Sequence, residues 1–135
     1  MGLAERRKAA QWQKDRFPDW KAQIDRAASF DVSVEVAWDQ LAEDDYSHLY
    51  DEWFPKMYFQ PLVRAFTEIT VDDMGKEALR DRLTKVVIKN SGQHTGSRGF
   101  SFQDGVLTID RRPCSYSDGD EERAQNLQKV LESAL

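Results

Sequence analysis

Residues 85–110 read KVVIKNSGQHTGSRGFSFQDGVLTID, and they contain three runs that favour β-strands. The run 85–89 is centred on two valines and an isoleucine and has no polar face, which is typical of a buried strand. The dipeptide Asp104-Gly105 is a strong signal for a tight turn between two strands. The residues on its two sides therefore predict a β-hairpin over 100–110. Because consecutive strands usually neighbour each other, the three runs are predicted to form antiparallel pairs.

A fourth strand is predicted upstream, where residues 30–38 read FDVSVEVAW. Large apolar residues alternate there with smaller, mostly polar ones. This period of two places every large side chain on one face, as in a sheet that is covered on one side. A shift of one residue in the strand pairing would expose that apolar face to water, so the register should be well specified.

Helices are predicted on both sides of this strand. Residues 1–28 are rich in good helix formers and form a predicted helical N-terminal arm, which Pro18 either divides into two helices or kinks. Helical periodicity also covers most of 41–70, 74–83 and 120–135. The order of elements predicts a single α+β domain over 1–135. Its expected architecture has two layers, in which a mostly antiparallel sheet of about four strands packs against helices, with a helical N-terminus and a C-terminal helix.

The composition is typical of a globular protein, since 40% of the 135 residues are hydrophobic and 32% are charged. No apolar run approaches the roughly 20 residues that a membrane span needs, and no secretory signal is visible. Cys114 is the only cysteine, which excludes an internal disulfide and favours a reducing, cytoplasmic location. The net charge of −5 disfavours broad nucleic-acid binding. We therefore expect no membrane association and no nucleic-acid ligand.

The segment 91–99, SGQHTGSRG, is the best candidate for binding a small anion. Its glycines let backbone N–H groups approach a ligand, and the guanidinium of Arg98 can bind an oxyanion through two hydrogen bonds. The candidate ligand-binding residues are His94, Gly96 and Arg98, with His48 as a further polar group. The spacing matches neither the P-loop nor the dinucleotide fingerprint. A simple connection between two strands would have the same composition.

Residues 50–66, YDEWFPKMYFQPLVRAF, hold six aromatic side chains and two prolines. A helix through this segment places Tyr58 and Phe66 in one apolar stripe, which is ordinary core. The remaining large side chains exceed what a single helix face can bury. They are either enclosed on several sides or form an exposed patch that contacts a partner. The candidate partner-binding residues are Trp53, Phe54, Met57 and Phe59.

The sequence assigns no catalytic residue, no metal site and no cofactor. His48 and His94 are the only histidines, and no spacing connects either of them with Cys114 as a nucleophile and its base. The favoured hypothesis is a small, acidic, non-catalytic binding or regulatory protein that acts through a protein–protein surface, with a protein partner or by self-association. The alternative is a domain that binds a small molecule or anion, or a small enzyme, that uses the 91–99 loop.

Overall fold

A computed structural model of the chain describes residues 2–42, 50–91, 99–111 and 120–135. In chain order, the elements are α1 (Leu3–Asp15), α2 (Phe17–Ala28), β1 (Val34–Val36), α3 (Trp38–Leu41), α4 (Tyr50–Phe54), a π-helical segment (Pro55–Phe59), α5 (Gln60–Ile69), α6 (Asp73–Arg82), β2 (Lys85–Lys89), β3 (Phe100–Gln103), β4 (Val106–Asp110) and α7 (Asp120–Glu132). Within the described ranges, no helix is long and apolar enough to cross a membrane.

The N-terminal arm consists of two helices, which is one of the two predicted arrangements. The second helix, α2, carries Pro18 in its first turn, where the missing N–H group costs no hydrogen bond. α2 is followed by Ser29, which has a left-handed φ of 71° and donates its N–H to the carbonyl of Asp25 at 2.9 Å. Pro18 therefore starts a helix rather than bending one.

A charged cluster holds the chain between α2 and β1. Lys21 Nζ donates to Asp25 at 2.6 Å and to Asp31 at 2.8 Å, and Asp25 also accepts the N–H of Val32 at 2.9 Å. Burial by itself lowers the pKa of Lys21, but hydrogen bonds and charge from Asp25 and Asp31 outweigh it, so the pKa is raised. The cluster therefore stabilises the charged form of Lys21 and fixes the approach to the sheet.

The strand predicted over 30–38 is present but shorter, because β1 covers only Val34–Val36. Before it, the N–H of Val32 donates to the side chain of Asp25 instead of a neighbouring strand. After it, Trp38 begins the short helix α3. Local hydrogen bonding at both ends therefore limits a strand whose alternating pattern runs further.

The four strands form one sheet in the order β1-β2-β4-β3. The hairpin predicted over 100–110 is confirmed as the antiparallel pair β3–β4. β2, however, pairs in parallel with both β1 and β4. The predicted α+β fold with about four strands is confirmed, whereas the prediction of a mostly antiparallel sheet is wrong. The reason is that the second strand of the hairpin, not the first, lies beside β2 and runs in the same direction.

The side chains of the hairpin fit this order. Leu107 and Ile109 of β4 are fully buried, whereas Ser101 and Gln103 of β3 are exposed. The more apolar strand therefore takes the interior position, and the strand with more polar residues takes the edge. The inward-facing side chains of β2 and β4 join those of α5 and α7 in one hydrophobic core.

Residues 50–69 are helical without a break, although two prolines fall inside the segment. In the π-helical segment, the N–H of Gln60 donates to the carbonyl of Pro55, five residues earlier. The next donor in this register is residue 61, and because Pro61 has no N–H, the register offers the carbonyl of Lys56 no backbone donor. Arg123 on α7 donates its Nε to that carbonyl at 3.0 Å, with a side chain only 1% exposed. Arg123 thus replaces the hydrogen-bond donor that Pro61 lacks.

Candidate functional site

The carboxyl ends of β1, β2 and β4 meet at one edge of the sheet, because these three strands are parallel. We use the name carboxyl edge for the described residues at and just beyond these ends, which are Gln40, Asn90, Ser91, Asp110 and Arg111. In open sheets with parallel strands, ligands bind outside this edge. The carboxyl edge is therefore the first place to look for a site.

Two pairs of hydrogen bonds connect the residues of the carboxyl edge. The N–H of Asn90 donates to Gln40 Oε1 at 3.1 Å, and Asn90 Nδ2 donates to the carbonyl of Gln40 at 3.2 Å. Ser91 donates its N–H and its Oγ to the two carboxylate oxygens of Asp110, at 2.8 and 2.7 Å. Asp110 is buried. Its carboxylate therefore fixes Ser91, the first residue of the glycine-rich sequence segment.

Gly99, which follows the glycine-rich segment in sequence, packs closely against the end of β4. A Cβ atom at Gly99 would lie 2.4 Å from the carbonyl oxygen of Asp110 and 2.5 Å from Arg111 Cγ. Distances this short leave room only for glycine. Ser91 and Gly99 therefore both contact Asp110, and Gly99 also lies against Arg111.

Arg111 places a positive charge at the carboxyl edge. Its guanidinium carbon lies 5.2 Å from the centre of the Phe100 ring, and its side chain is only 1% exposed. Its backbone is held as well, since its N–H donates to the carbonyl of Lys89 at 3.1 Å and its carbonyl accepts from Tyr58 Oη at 2.5 Å. A buried guanidinium favours negative or polar neighbours. The carboxyl edge therefore holds one buried cation, Arg111, and one buried carboxylate, Asp110.

The predicted ligand-binding residues lie outside the described ranges. His48 falls within 43–49, and His94, Gly96 and Arg98 fall within 92–98. The structure does describe the two residues that flank 92–98 in sequence, Ser91 and Gly99. Sequence reasoning missed Asp110 as a site residue, because its only signal was a position at the end of a predicted strand.

The predicted partner-binding residues lie in the core. Phe54, Met57 and Phe59 are fully buried, and Trp53 is 7% exposed. The ring of Phe59 stacks on Trp12 with an interplanar angle of 9°, and Trp12 meets Phe54 edge-on. Trp12 of the N-terminal arm therefore helps to enclose the large side chains that a single helix face could not bury. In this structure these side chains form no exposed patch, so a surface for a partner would lie elsewhere.

A cleft of about 490 Å³ lies between α1 and α4, and we call it the α1–α4 cleft. Its lining residues include the cations Arg7 and Lys8 of α1, Arg16 just after α1, Trp12, and Asp51 of α4. Trp12 Nε1 donates to Asp51 Oδ1 at 2.7 Å, and Arg16 Nε lies 3.6 Å from the same oxygen. No residue of the carboxyl edge lines this cleft, so the two features are separate.

Among the described residues, no group of three or more histidine, cysteine, aspartate or glutamate side chains is placed to hold a metal ion. No protein-family model, no curated protein and no solved structure matches this chain. The carboxyl edge is the feature of the described residues on which a proposed function rests.

Proposed function

We propose that the protein binds a small anionic ligand, such as a phosphorylated metabolite, at the carboxyl edge of its sheet. One observation carries this proposal. Ser91 and Gly99, which flank the glycine-rich segment in sequence, both lie against the end of β4: Ser91 is hydrogen-bonded to Asp110, and Gly99 packs against Asp110 and Arg111. The composition of the segment between them supports anion binding, because glycines allow backbone N–H groups to approach a ligand.

The sequence of the glycine-rich segment favours negative charge in the ligand, because it supplies the guanidinium of Arg98. Guanidinium groups bind carboxylates and phosphates through two parallel hydrogen bonds. Asp110 serves as a positioning residue, because both of its carboxylate oxygens accept hydrogen bonds from Ser91.

A thermal-shift screen with phosphorylated metabolites tests the proposal. A ligand at 100 times its Kd adds about 2.7 kcal/mol to the free energy of unfolding. For a domain of this size, that corresponds to a rise in Tm of roughly 10 °C. Arg98→Gln is expected to abolish the shift, because it removes the guanidinium of the loop.

Arg80→Gln is the matched control, since Arg80 is an exposed arginine of α6 outside the carboxyl edge. It removes the same charge and should leave the thermal shift unchanged. The proposal fails if no phosphorylated compound in a broad library raises Tm, or if both arginine variants reduce the shift equally.

A second candidate function is binding of a protein partner, through a surface other than the aromatic segment. Val71 and Met74, at the turn between α5 and α6, are 73% and 80% exposed. Val71 also lines a groove of about 460 Å³ between α2 and α5. Apolar side chains beside a groove are suited to a partner segment that presents apolar residues of its own.

The partner function predicts that capture from the source cell depends on this turn. The double variant Val71→Ser/Met74→Ser should lose any partner that the unaltered chain captures. Leu3→Ser is the control, because Leu3 is a similarly exposed apolar residue on α1. Equal capture by the unaltered chain and the double variant would exclude this turn as the partner surface.

A further inference from the structure

The α1–α4 cleft is built from two neighbouring stripes of α1 and from the start of α4. Its volume of about 490 Å³ is within the range of small-molecule sites, which is roughly 300–1,000 Å³. Lys8 and Trp12 are four residues apart and belong to one stripe of α1, and Arg16 follows at the C-cap, four residues after Trp12. Arg7 belongs to the adjacent stripe and lines the same cleft. Positive charge is therefore concentrated along the α1 wall.

The two acidic residues of the cleft already have partners within its walls. Asp51 accepts a hydrogen bond from Trp12 Nε1 at 2.7 Å and lies 3.6 Å from Arg16 Nε. Asp15 accepts a hydrogen bond from Gln11 Nε2 at 2.7 Å. Neither carboxylate reaches Arg7 or Lys8 in an ion pair. Within the described part of the chain, Arg7 and Lys8 form no hydrogen bond and no ion pair with any side chain.

The charge distribution of the whole chain makes this concentration unusual. Residues 1–16 contain five basic and two acidic residues, although the complete chain has a net charge of −5. Such an asymmetry attracts anions to the basic segment and away from the rest of the surface. Because Arg7 and Lys8 are exposed, they keep their hydration in the free protein and can exchange it for a ligand at low cost.

We infer that the α1–α4 cleft is a second ligand site, which binds a compact anion with two or more negative charges. Arg7 and Lys8 supply the charges that the ligand neutralises. Arg16 Nε lies 3.6 Å from Asp51 Oδ1, and the Trp12–Asp51 hydrogen bond joins the α1 wall to α4. This site is independent of the anion site proposed at the carboxyl edge, because the two share no residue.

The indole N–H of Trp12 is a built-in reporter for this site. The chain contains four tryptophans, so an indole ¹H–¹⁵N spectrum of the full chain is simple, and Trp12→Phe identifies the Trp12 signal. Sodium pyrophosphate and sodium citrate are titrated separately, each against sodium chloride at equal ionic strength. We expect at least one of the two anions to move the Trp12 signal saturably, and sodium chloride to leave it in place. A response to pyrophosphate alone would indicate phosphate recognition, and a response to citrate alone would indicate carboxylate recognition.

The double variant Arg7→Gln/Lys8→Gln should raise the Kd for the effective anion about tenfold or more, since it removes two charge-assisted contacts. The matched control is Arg6→Gln/Lys14→Gln, which removes two positive charges from the same helix outside the cleft. The control should change the Kd by less than about twofold. Unfolding curves recorded by circular dichroism verify that both double variants fold.

Three results would overturn the inference. The first is the absence of a saturable Trp12 shift with either anion. The second is an equal loss of affinity in the two double variants, which would indicate a diffuse electrostatic effect of α1. The third is loss of the Trp12 shift in Arg98→Gln, which would place the response at the carboxyl edge. Failure of the thermal-shift screen with Arg98 variants, by contrast, leaves the Trp12 titration unaffected.

Discussion

The hydrogen bond from Arg123 to Lys56 predicts an energetic coupling between two residues that are far apart in sequence. The perturbation is Arg123→Met, made both in the unaltered chain and in the Pro61→Ala background. Methionine keeps the apolar stem of the side chain but removes the donor at 3.0 Å from the carbonyl of Lys56. In the Pro61→Ala background, residue 61 regains an N–H group. The helix can then supply a backbone donor to the Lys56 carbonyl without help from Arg123.

The magnitude follows from the buried carbonyl. A hydrogen bond from a charged donor contributes about 1.5–3 kcal/mol, and an unsatisfied buried acceptor costs about 1–3 kcal/mol. Other interactions of Arg123 are lost equally in both backgrounds, so they cancel in a double-mutant cycle. Because the backbone replaces only this one bond, we expect Arg123→Met to be less destabilising by about 1 kcal/mol when Pro61 is also replaced.

Urea unfolding of the unaltered chain, the two single variants and the double variant measures this coupling. Lys129→Met is the control partner, because Lys129 is an exposed residue of the same helix α7. Its effect should be additive with that of Pro61→Ala within about 0.3–0.5 kcal/mol. Additivity between Arg123→Met and Pro61→Ala within the same limit would refute the role given to Arg123.

Three further predictions concern the core, the hairpin turn and the charged cluster. Phe54→Ala should lower the free energy of unfolding by about 3–5 kcal/mol, because it removes a fully buried ring, and normal stability by urea unfolding would contradict the core assignment. Gly105→Ala should cost about 1–3 kcal/mol in the same assay, because residue 105 has a φ of 80° and a Cβ there would lie 2.8 Å from Thr84 Oγ1. Lys21 has a raised pKa, so its stabilising contribution is complete below its ordinary value of 10.5 and is lost as the pH rises through the raised value. As the pH rises from 10.5 through the raised pKa, stability curves should therefore fall less in Lys21→Met than in the unaltered chain, and identical curves would count against the cluster.

Local signals explain most of the correctly predicted elements. Asp104-Gly105 specifies the hairpin because the turn needs positive φ, and both residues adopt it, at 54° and 80°. Pro18 specifies a helix start because the ring cannot donate a hydrogen bond inside a helix but fits the first turn. Each of these signals acts over a few residues, so no distant contact is needed to interpret it.

Local signals could not predict which neighbouring strands are parallel and which are antiparallel. Either strand of the hairpin, β3 or β4, could pair with β2, and both pairings keep the same turn and the same alternation of side chains. The choice depends on burial, since β4 carries the fully buried Leu107 and Ile109 while β3 carries the exposed Ser101. With β4 beside β2, the strand ends of β1, β2 and β4 gather at one edge, and the candidate site follows from this gathering.

The segment 50–66 shows the same division between local and distant causes. Its apolar content and its helical spacing are properties of the sequence alone. The burial of its surplus side chains required partners that lie far away in the chain, because Trp12 covers Phe54 and Phe59. Its second proline required Arg123 on α7.

The sequence by itself determined the types of the elements, the hairpin and its turn, and the glycine-rich segment, because each depends on backbone preferences within a few residues. Only the tertiary structure decided which strands are parallel, which aromatic residues are buried and which charges meet. These outcomes depend on the packing of residues that are distant in sequence. For that reason, the glycine-rich segment was visible as a candidate from the sequence, whereas the contacts of its flanking residues Ser91 and Gly99 with the end of β4, and the α1–α4 cleft, emerged only from the folded chain.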